Sequence, residues 1–277
     1  MAGTFTTNDG ATLRYTTTGA GEPVVFVHGW LLSSRFWEPI TAQLPGHLRV
    51  TYDHRGHGAS ADAAAGWHLH RLAFDLHELL EHLDLHDVTL VGHSMGCVVT
   101  WAYHELFGPA RLRKLVLVDQ APTVCHDPEE DAQARARTGS VLTDEELAGL
   151  VHAIGDPETH EGAVEQFFSG MVTPNFSDAA MRDLLAVTGR PGAAFSAALV
   201  ADFGRQDWRR EIRRITLPTL VIAGRESPLP WAGSRWVADH IPGARLEVVE
   251  GADGGSHMLI VEADKRVAEL LATFLAE

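Results

Sequence analysis

The chain has 277 residues, 45% of them hydrophobic, and a formal net charge of −15 at pH 7. A chain of this length can bury a sizeable hydrophobic core without stabilising disulfides or metal ions. Two cysteines, Cys97 and Cys125, cannot build a disulfide framework. The charge argues against a general basic face for nucleic acid or anionic membrane. The N-terminus lacks a signal-peptide pattern and no apolar run reaches 18 residues, so we expect a soluble, cytoplasmic protein.

The first predicted elements are strands. Two stretches rich in β-branched residues, 4–7 and 12–18, flank the turn residues Asn8-Asp9-Gly10 and predict a hairpin. Short apolar runs of the kind buried on both faces predict six further strands. They lie at 23–27, 48–52, 88–91, 115–118, 219–223 and 246–249.

Helical spacing fills the intervals between these strands. It predicts helices over 36–44, 68–83 and 95–107, and a terminal helix that ends at Leu275. Strands that alternate with helices indicate βαβ units. We therefore expect an α/β fold: a doubly wound, mostly parallel eight-stranded sheet with an antiparallel edge at its start.

One interval, between Asp119 and Leu217, contains no convincing strand. Helical patterns occupy it instead, separated by loops with glycine and proline. They cover 144–154, 161–171, 178–187 and 193–203. A structureless loop of that length is implausible, so we expect a helical insertion over the C-terminal edge of the sheet.

The segment Gly92-His93-Ser94-Met95-Gly96 matches G-x-S-x-G between a predicted strand and a predicted helix. This context suits a nucleophile, because flanking glycines permit a sharp turn that projects Ser94 Oγ towards the helix N-terminus. The alternative is a Gly-Ser turn without chemistry. An oxyanion that forms on an attacked carbonyl needs backbone donors, and we expect them from Met95 and from Trp30 in His28-Gly29-Trp30. His28 itself is interpreted as structural.

Two further loops follow predicted strands. In the loop that starts at Asp53, we interpret Asp53 and Arg55 as a buried ion pair that shapes the loops. Its glycine pair, Gly56 and Gly58, leaves a phosphate-binding loop as an alternative. After the last strand, His257 follows the nucleophile in the chain order Ser, acid, His, and is predicted to be the general base.

Together these motifs, with Ser256-His257 and Glu262 five residues on, resemble the α/β-hydrolase superfamily. The chain is similar to the subgroup that contains non-haem haloperoxidases, small esterases and lactonases. The resemblance implies a core domain of residues 1–121 and 207–277. It also implies a helical cap, or lid, over residues 122–206.

The chain departs from this family at the acid of the triad. The usual aspartate lies three residues after a glycine that ends the seventh strand, and here that place is Ser227. Asp119, at the end of the sixth strand, is one candidate, because certain dehalogenases, a mycotoxin lactonase and cofactor-free dioxygenases carry their acid there. Glu226 is the alternative acid, and a Ser–His dyad is a third arrangement.

The predicted function is acyl transfer: Ser94 attacks an ester or lactone, His257 moves the proton, and water hydrolyses the acyl-enzyme. The expected substrate is a small to medium, partly apolar molecule, and no cofactor or metal is expected. The cap offers four side chains as substrate lining, unless they form only its core: Phe167, Phe168, Met171 and Phe195.

Two rival functions remain. A cofactor-independent enzyme of this fold, such as a lyase or a His–Asp dioxygenase, would use His257 without an acyl-enzyme. However, the dioxygenases carry a histidine where this chain has Leu32. A hydrolase-fold receptor for a small ligand is the other rival. The sequence leaves the oligomeric state open.

Overall fold

A central eight-stranded sheet organises the molecule in the computed structural model, which describes residues 1–60, 65–127 and 129–277. The strand order is β1-β2-β4-β3-β5-β6-β7-β8. The strands are β1 (Ala2–Thr6), β2 (Thr12–Thr18), β3 (Pro23–Val27), β4 (Leu48–Tyr52), β5 (Val88–His93), β6 (Leu112–Val118), β7 (Thr219–Gly224) and β8 (Arg245–Val249).

The sheet is parallel except at its first edge. β1 pairs antiparallel with β2 and β2 with β4, while the pairs from β3 onward are parallel. β5 and β7 are buried along their whole length, because helices cover both faces of a parallel sheet. The predicted fold class, with its antiparallel edge, is confirmed.

Helices occupy the intervals between strands. The predicted helix over 36–44 is shorter than expected: a 3-10 turn at Ser34–Trp37 leads into α1, and Pro45 disfavours continuation through Leu44. The helices are α1 (Glu38–Thr41), α2 (Leu69–His82), α3 (Met95–Phe107), α4 (Ala132–Thr138), α5 (Asp144–Gly155), α6 (His160–Ser169), α7 (Asp178–Ala186), α8 (Ala193–Phe203), α9 (Arg209–Ile212), α10 (Trp231–His240), α11 (Leu259–Glu262) and α12 (Asp264–Leu275).

The helices α4 to α8 lie between β6 and β7, where the helical insertion was expected. α5 begins with a capping box, in which Thr143 and Glu146 satisfy each other's backbone donors. The turn between α7 and α8 pairs with the loop after β3 through an antiparallel bridge between Leu32 and Thr188. The insertion is therefore fastened to a loop at the C-terminal edge of the sheet.

The parallel strands β3, β5, β6, β7 and β8 all end at that same edge. Their loops bring together residues far apart in sequence, as at the ligand-binding edge of other open α/β sheets. Within the described residues, no helix is both long and apolar enough to cross a membrane.

Candidate active site

Ser94 occupies a tight turn between β5 and α3, with φ 53° and ψ −124°. The flanking glycines are sterically required. A Cβ on Gly92 would lie 2.6 Å from the Gly96 carbonyl oxygen, and one on Gly96 would lie 2.1 Å from the Val27 carbonyl oxygen. α3 can therefore start directly against β3, and Ser94 stands at the tip of the turn.

A continuous chain of hydrogen bonds links Ser94, His257 and Asp119. Ser94 Oγ lies 3.0 Å from His257 Nε2, and His257 Nδ1 lies 2.6 Å from Asp119 Oδ2. Because a carboxylate only accepts, Nδ1 carries the hydrogen and Nε2 of the neutral ring is free to accept from the serine. Such an arrangement can move a proton from a serine hydroxyl to a histidine.

Asp119 is 1% exposed and receives three hydrogen bonds. Besides His257, the Gly224 N–H donates to Oδ1 at 2.8 Å and the Ser227 hydroxyl donates to Oδ2 at 2.5 Å. Three donors compensate for the burial of one negative charge. Ser227, at the place where the acid is usual, thus supplies a donor to an acid on the neighbouring strand.

Glu226, the alternative acid, does not contact His257. It is exposed, and its carboxyl packs beside the backbone of Gly251, where a Cβ would lie 2.1 Å from the Glu226 Cδ. The structure brings Asp119, and not Glu226, to His257.

The backbone of Trp30 and Met95 borders the serine from two sides. A Cβ on Gly29 would lie 3.2 Å from Ser94 Cβ, so the Gly29–Trp30 peptide is adjacent to the turn that carries Ser94. The Gly29 carbonyl accepts from His28 Nδ1 at 2.8 Å and from the Leu32 N–H at 3.3 Å. In a trans peptide the N–H points opposite to the carbonyl, so these bonds fix the direction of the Trp30 N–H.

Met95 is the first residue of α3, and its N–H is one of the first four that have no acceptor within a helix.

The loop after β4 contains two more buried histidines, His54 and His57, near His28. His28 Nε2 accepts from the His54 N–H at 3.0 Å, so the ring is neutral. Burial lowers the pKa of His28 and brings the pKa of His57 to about 3. This agrees with a structural role for His28.

Arg55 does not pair with Asp53, so this prediction was wrong. Its guanidinium reaches α2 and binds Asp75 at 2.6 Å and Asp9 at 2.9 Å. Both Arg55 and Asp75 are fully buried, and the pair ties the loop after β4 to α2. The partner lies twenty residues along the chain, on a helix that the loop motif does not reveal.

Asp53 instead caps backbone N–H groups. Its carboxylate accepts from Ser34 at 2.6 Å and from Ala59 at 2.7 Å, and it lies against Gly58, where a Cβ would be 2.4 Å from Oδ2. A phosphate cradled by this glycine pair would meet a carboxylate. The geometry therefore opposes the phosphate-binding alternative.

The four candidate lining residues separate into two pairs. Phe167 is partly exposed with its ring 5.1 Å from that of Trp30, and the Met171 carbonyl accepts from the backbone N–H that follows His257. Phe168, by contrast, is 0% exposed, and Phe195 packs its ring on Gly56. Phe168 and Phe195 thus pack against neighbouring side chains, Phe195 against His57 and Trp67, and a substrate-lining role for them stays a prediction.

The sequence did not reveal that the Glu262 carboxylate connects the His257 loop to the helical insertion. Glu262 accepts from the Ser256 hydroxyl and, on the insertion side, from Thr173 Oγ at 2.5 Å and Thr173 N–H at 3.1 Å. Its place in the C-terminal motif was visible, but nothing local pointed to a partner 89 residues away. In residues 1–60, 65–127 and 129–277, no group of three His, Cys, Asp or Glu side chains could hold a metal ion.

Comparison with known proteins gives a consistent set of similarities. A family model described as alpha/beta hydrolase fold matches residues 22–139. The non-heme chloroperoxidase CPO-A1 of Kitasatospora aureofaciens is 32% identical over 278 residues, which cover 96% of this chain and 97% of that protein. The 3-oxoadipate enol-lactonase 2 of Acinetobacter baylyi is 26% identical over 94% of this chain and 91% of its own.

Solved structures agree with these relatives. A bromoperoxidase from Bacillus anthracis superimposes with a TM-score of 0.89 at 25% identity, and each chain is covered completely. An esterase from Exiguobacterium antarcticum gives the same TM-score and coverage at 22% identity, which shows a shared fold.

Proposed function

The chain belongs to the α/β-hydrolase superfamily, in the subgroup of haloperoxidases and esterases, and from this premise we propose that it is a serine hydrolase of carboxylic esters or lactones. The observation that carries the proposal is the chain of hydrogen bonds from Ser94 through His257 to the buried carboxylate of Asp119. The substrate class is a small to medium, partly apolar molecule.

Acylation starts when His257 Nε2 takes the Ser94 proton while Oγ attacks the carbonyl carbon. Negative charge then develops on the carbonyl oxygen, and the N–H groups of Trp30 and Met95 stabilise it. His257 next gives its proton to the leaving oxygen. The C–O bond breaks, and the acyl group stays on Ser94.

Deacylation repeats these steps with water as the nucleophile. His257 takes a proton from water, the acid leaves, and the proton returns to Ser94 Oγ. Asp119 holds the imidazole with Nδ1–H towards the carboxylate and stabilises the imidazolium that forms twice per turnover. A buried charge pair at 2.6 Å acts in a medium of low dielectric, where it is stronger than in water.

The insertion, residues 122–206, serves in this proposal as a cap on a core of residues 1–121 and 207–277. Two observations support it: the bridge between Leu32 and Thr188, and the contact of Phe167 with Trp30. Phe167 and Met171 are the cap side chains proposed to touch substrate.

The test is a panel of p-nitrophenyl esters and lactones of graded size, together with covalent labelling by a fluorophosphonate. We expect labelling at Ser94 and repeated turnover, with a loss of about 10⁶-fold in kcat for Ser94→Ala, the loss known for a triad nucleophile. Undiminished esterase activity in folded Ser94→Ala would refute the proposal. Consumption of O₂ would indicate a dioxygenase, and binding without turnover would indicate a receptor.

Haloperoxidase activity is a second candidate, favoured by the name of the 32% identical relative. The same acyl-enzyme can be attacked by hydrogen peroxide in place of water, which releases a peracid and restores Ser94. The peracid then oxidises a halide ion. Bromination of a phenol in acetate, peroxide and bromide, abolished by Ser94→Ala, is the expected result; bromination that survives this substitution would exclude this route.

A further inference from the structure

His93, the variable residue between Gly92 and Ser94 in the G-x-S-x-G motif, is fully buried and reaches the loop of the proposed base. Its Nε2 lies 2.8 Å from the main-chain carbonyl oxygen of His257, and the two rings are 4.9 Å apart. Because a carbonyl only accepts, Nε2 carries the hydrogen and donates it.

The remaining contacts hold the His93 ring in this orientation. Phe36 lies 4.9 Å from it, ring to ring, and a Cβ on Gly29 would come within 3.1 Å of its Nδ1. In the described part of the chain, Nδ1 has no hydrogen-bond partner. Burial lowers the pKa of His93 well below its usual value, so the ring stays neutral with its single hydrogen on Nε2.

His93 therefore touches three loops at once: its own nucleophile turn, the Gly29 turn and the His257 loop. The hydrogen bond from His93 fixes the main-chain carbonyl of His257, and therefore the backbone that carries the His257 side chain. In that side chain, Nε2 of His257 must stay within hydrogen-bond distance of Ser94 Oγ, which lies 3.0 Å away. A displacement of about 1 Å at such a point can lower a rate about 10²-fold.

We propose that His93 is a positioning residue that fixes the proposed base relative to the nucleophile through its hydrogen bond to the His257 carbonyl. The inference rests on the proposed function, since it assumes that Ser94 and His257 exchange a proton. It adds a role for a residue that the motif leaves undefined and that contacts no reacting atom.

The test compares His93→Gln with His93→Met. Glutamine and methionine have similar length and volume, but only the glutamine amide can place an N–H near the position of Nε2. We expect His93→Met to lower kcat about 10–100-fold with little change in KM, and His93→Gln to stay within about fivefold of the wild type. A purely packing role would affect both variants alike, so equal rates for the two would overturn the proposal.

His93→Asn keeps an amide but is too short to reach the carbonyl, and it is expected to behave like His93→Met. If His93→Met does not fold in a thermal unfolding control, His93→Leu replaces it as the variant without a donor, and equal rates for His93→Leu and His93→Gln would overturn the proposal. Failure of the proposed function is distinguishable, because the wild type itself would then neither hydrolyse esters nor react with the fluorophosphonate.

Discussion

At the scale of single residues, three non-glycine residues in the left-handed region stand at consecutive points of the site. Leu31, Ser94 and Asp119 have φ values of 62°, 53° and 53°. They follow β3, β5 and β6, the strands that end beside one another. A residue in this conformation costs about 1–3 kcal/mol, so the surrounding structure must impose it. At these three positions the strained backbone lies where the proposed chemistry needs fixed geometry.

Asp119→Asn is predicted to lower kcat about 10²–10⁴-fold, because the amide favours the wrong tautomer of His257 and removes the charge that stabilises the imidazolium. Glu226→Gln, a matched loss of one carboxylate nearby, should cost less than about tenfold. Steady-state kinetics on both variants checks the ranking. The reverse ranking would move the acid to Glu226, and small effects from both would leave a dyad.

The effect of Ser227→Asp on kcat is predicted to be opposite in two proteins: a decrease in the wild type and an increase in the Asp119→Asn variant. In the wild type it would place a second carboxylate at the 2.5 Å contact with Asp119, and two such groups cannot both ionise. In Asp119→Asn, the same substitution restores a carboxylate at the place that is usual in the family, and part of the lost rate should return. The kcat values of the wild type, the two single variants and the double variant form a double-mutant cycle. If Ser227→Asp lowers kcat in Asp119→Asn as well as in the wild type, the predicted recovery is contradicted.

At the scale of elements, the insertion is fastened to the proposed catalytic loops at two places. On one side, the turn after α7 receives the Ser33 hydroxyl at the Val187 carbonyl, and Gly189 N–H donates to the Leu31 carbonyl at 2.7 Å. On the other side, Glu262 joins Thr173 to the His257 loop. The first fastening lies just after the Gly29–Trp30 turn, and the second supports the loop of His257, the proposed base.

Gly189→Ala is predicted to damage the first fastening. A Cβ there would lie 2.2 Å from the Leu32 carbonyl oxygen, so the two segments must separate, at an expected cost of about 1–3 kcal/mol in stability. Gly192→Ala is the matched control, since a Cβ at Gly192 meets nothing within 4 Å. Denaturant unfolding and kcat are the measurements. Equal stability and activity in the two variants would show that this turn does not hold the loop.

The elements and the tight turn that carries Ser94 were predictable from sequence because their signals are local. The apolar run of β7 and the glycines around Ser94 each indicate the local conformation within a few residues. Side-chain partners from distant parts of the chain were not predictable. Arg55 finds Asp75 on α2, and Ser227 shows its function only once Asp119 is beside it. Side-chain pairing between distant segments depends on packing, which one sequence does not display.

At the scale of the whole molecule, four buried histidines make stability depend on pH. Burial lowers the pKa of His28, His54, His57 and His93, to about 3 for His57. In the unfolded chain these histidines take up protons below about pH 6.5, while in the folded protein burial shifts their protonation to lower pH. Above that pH both states are neutral and the histidines contribute no dependence on pH. Below it, the unfolded state gains protons and the fold loses stability.

The free energy of unfolding is therefore predicted to fall as the pH drops from about 6.5 to 4.5. His57, with a pKa of about 3, approaches the one-proton limit of about 1.4 kcal/mol per pH unit. Urea unfolding at a series of pH values measures the slope. His57→Gln should reduce this slope by up to about 1.4 kcal/mol per pH unit, the contribution of one proton. A flat profile over this range would contradict neutral burial of these histidines.

The position of Asp119 directly after β6 also has a consequence for biosynthesis. Ser94 and Asp119 both precede the insertion, so the polypeptide made after it contributes a single member of the proposed trio, His257. A nascent chain that has reached the end of the insertion already contains the proposed nucleophile and acid, but under the proposed mechanism it is inert towards esters until His257 is made. Proteolysis that removes the last strand and its loop has the same effect. The proposed ability to hydrolyse esters thus arrives with the final segment of the polypeptide.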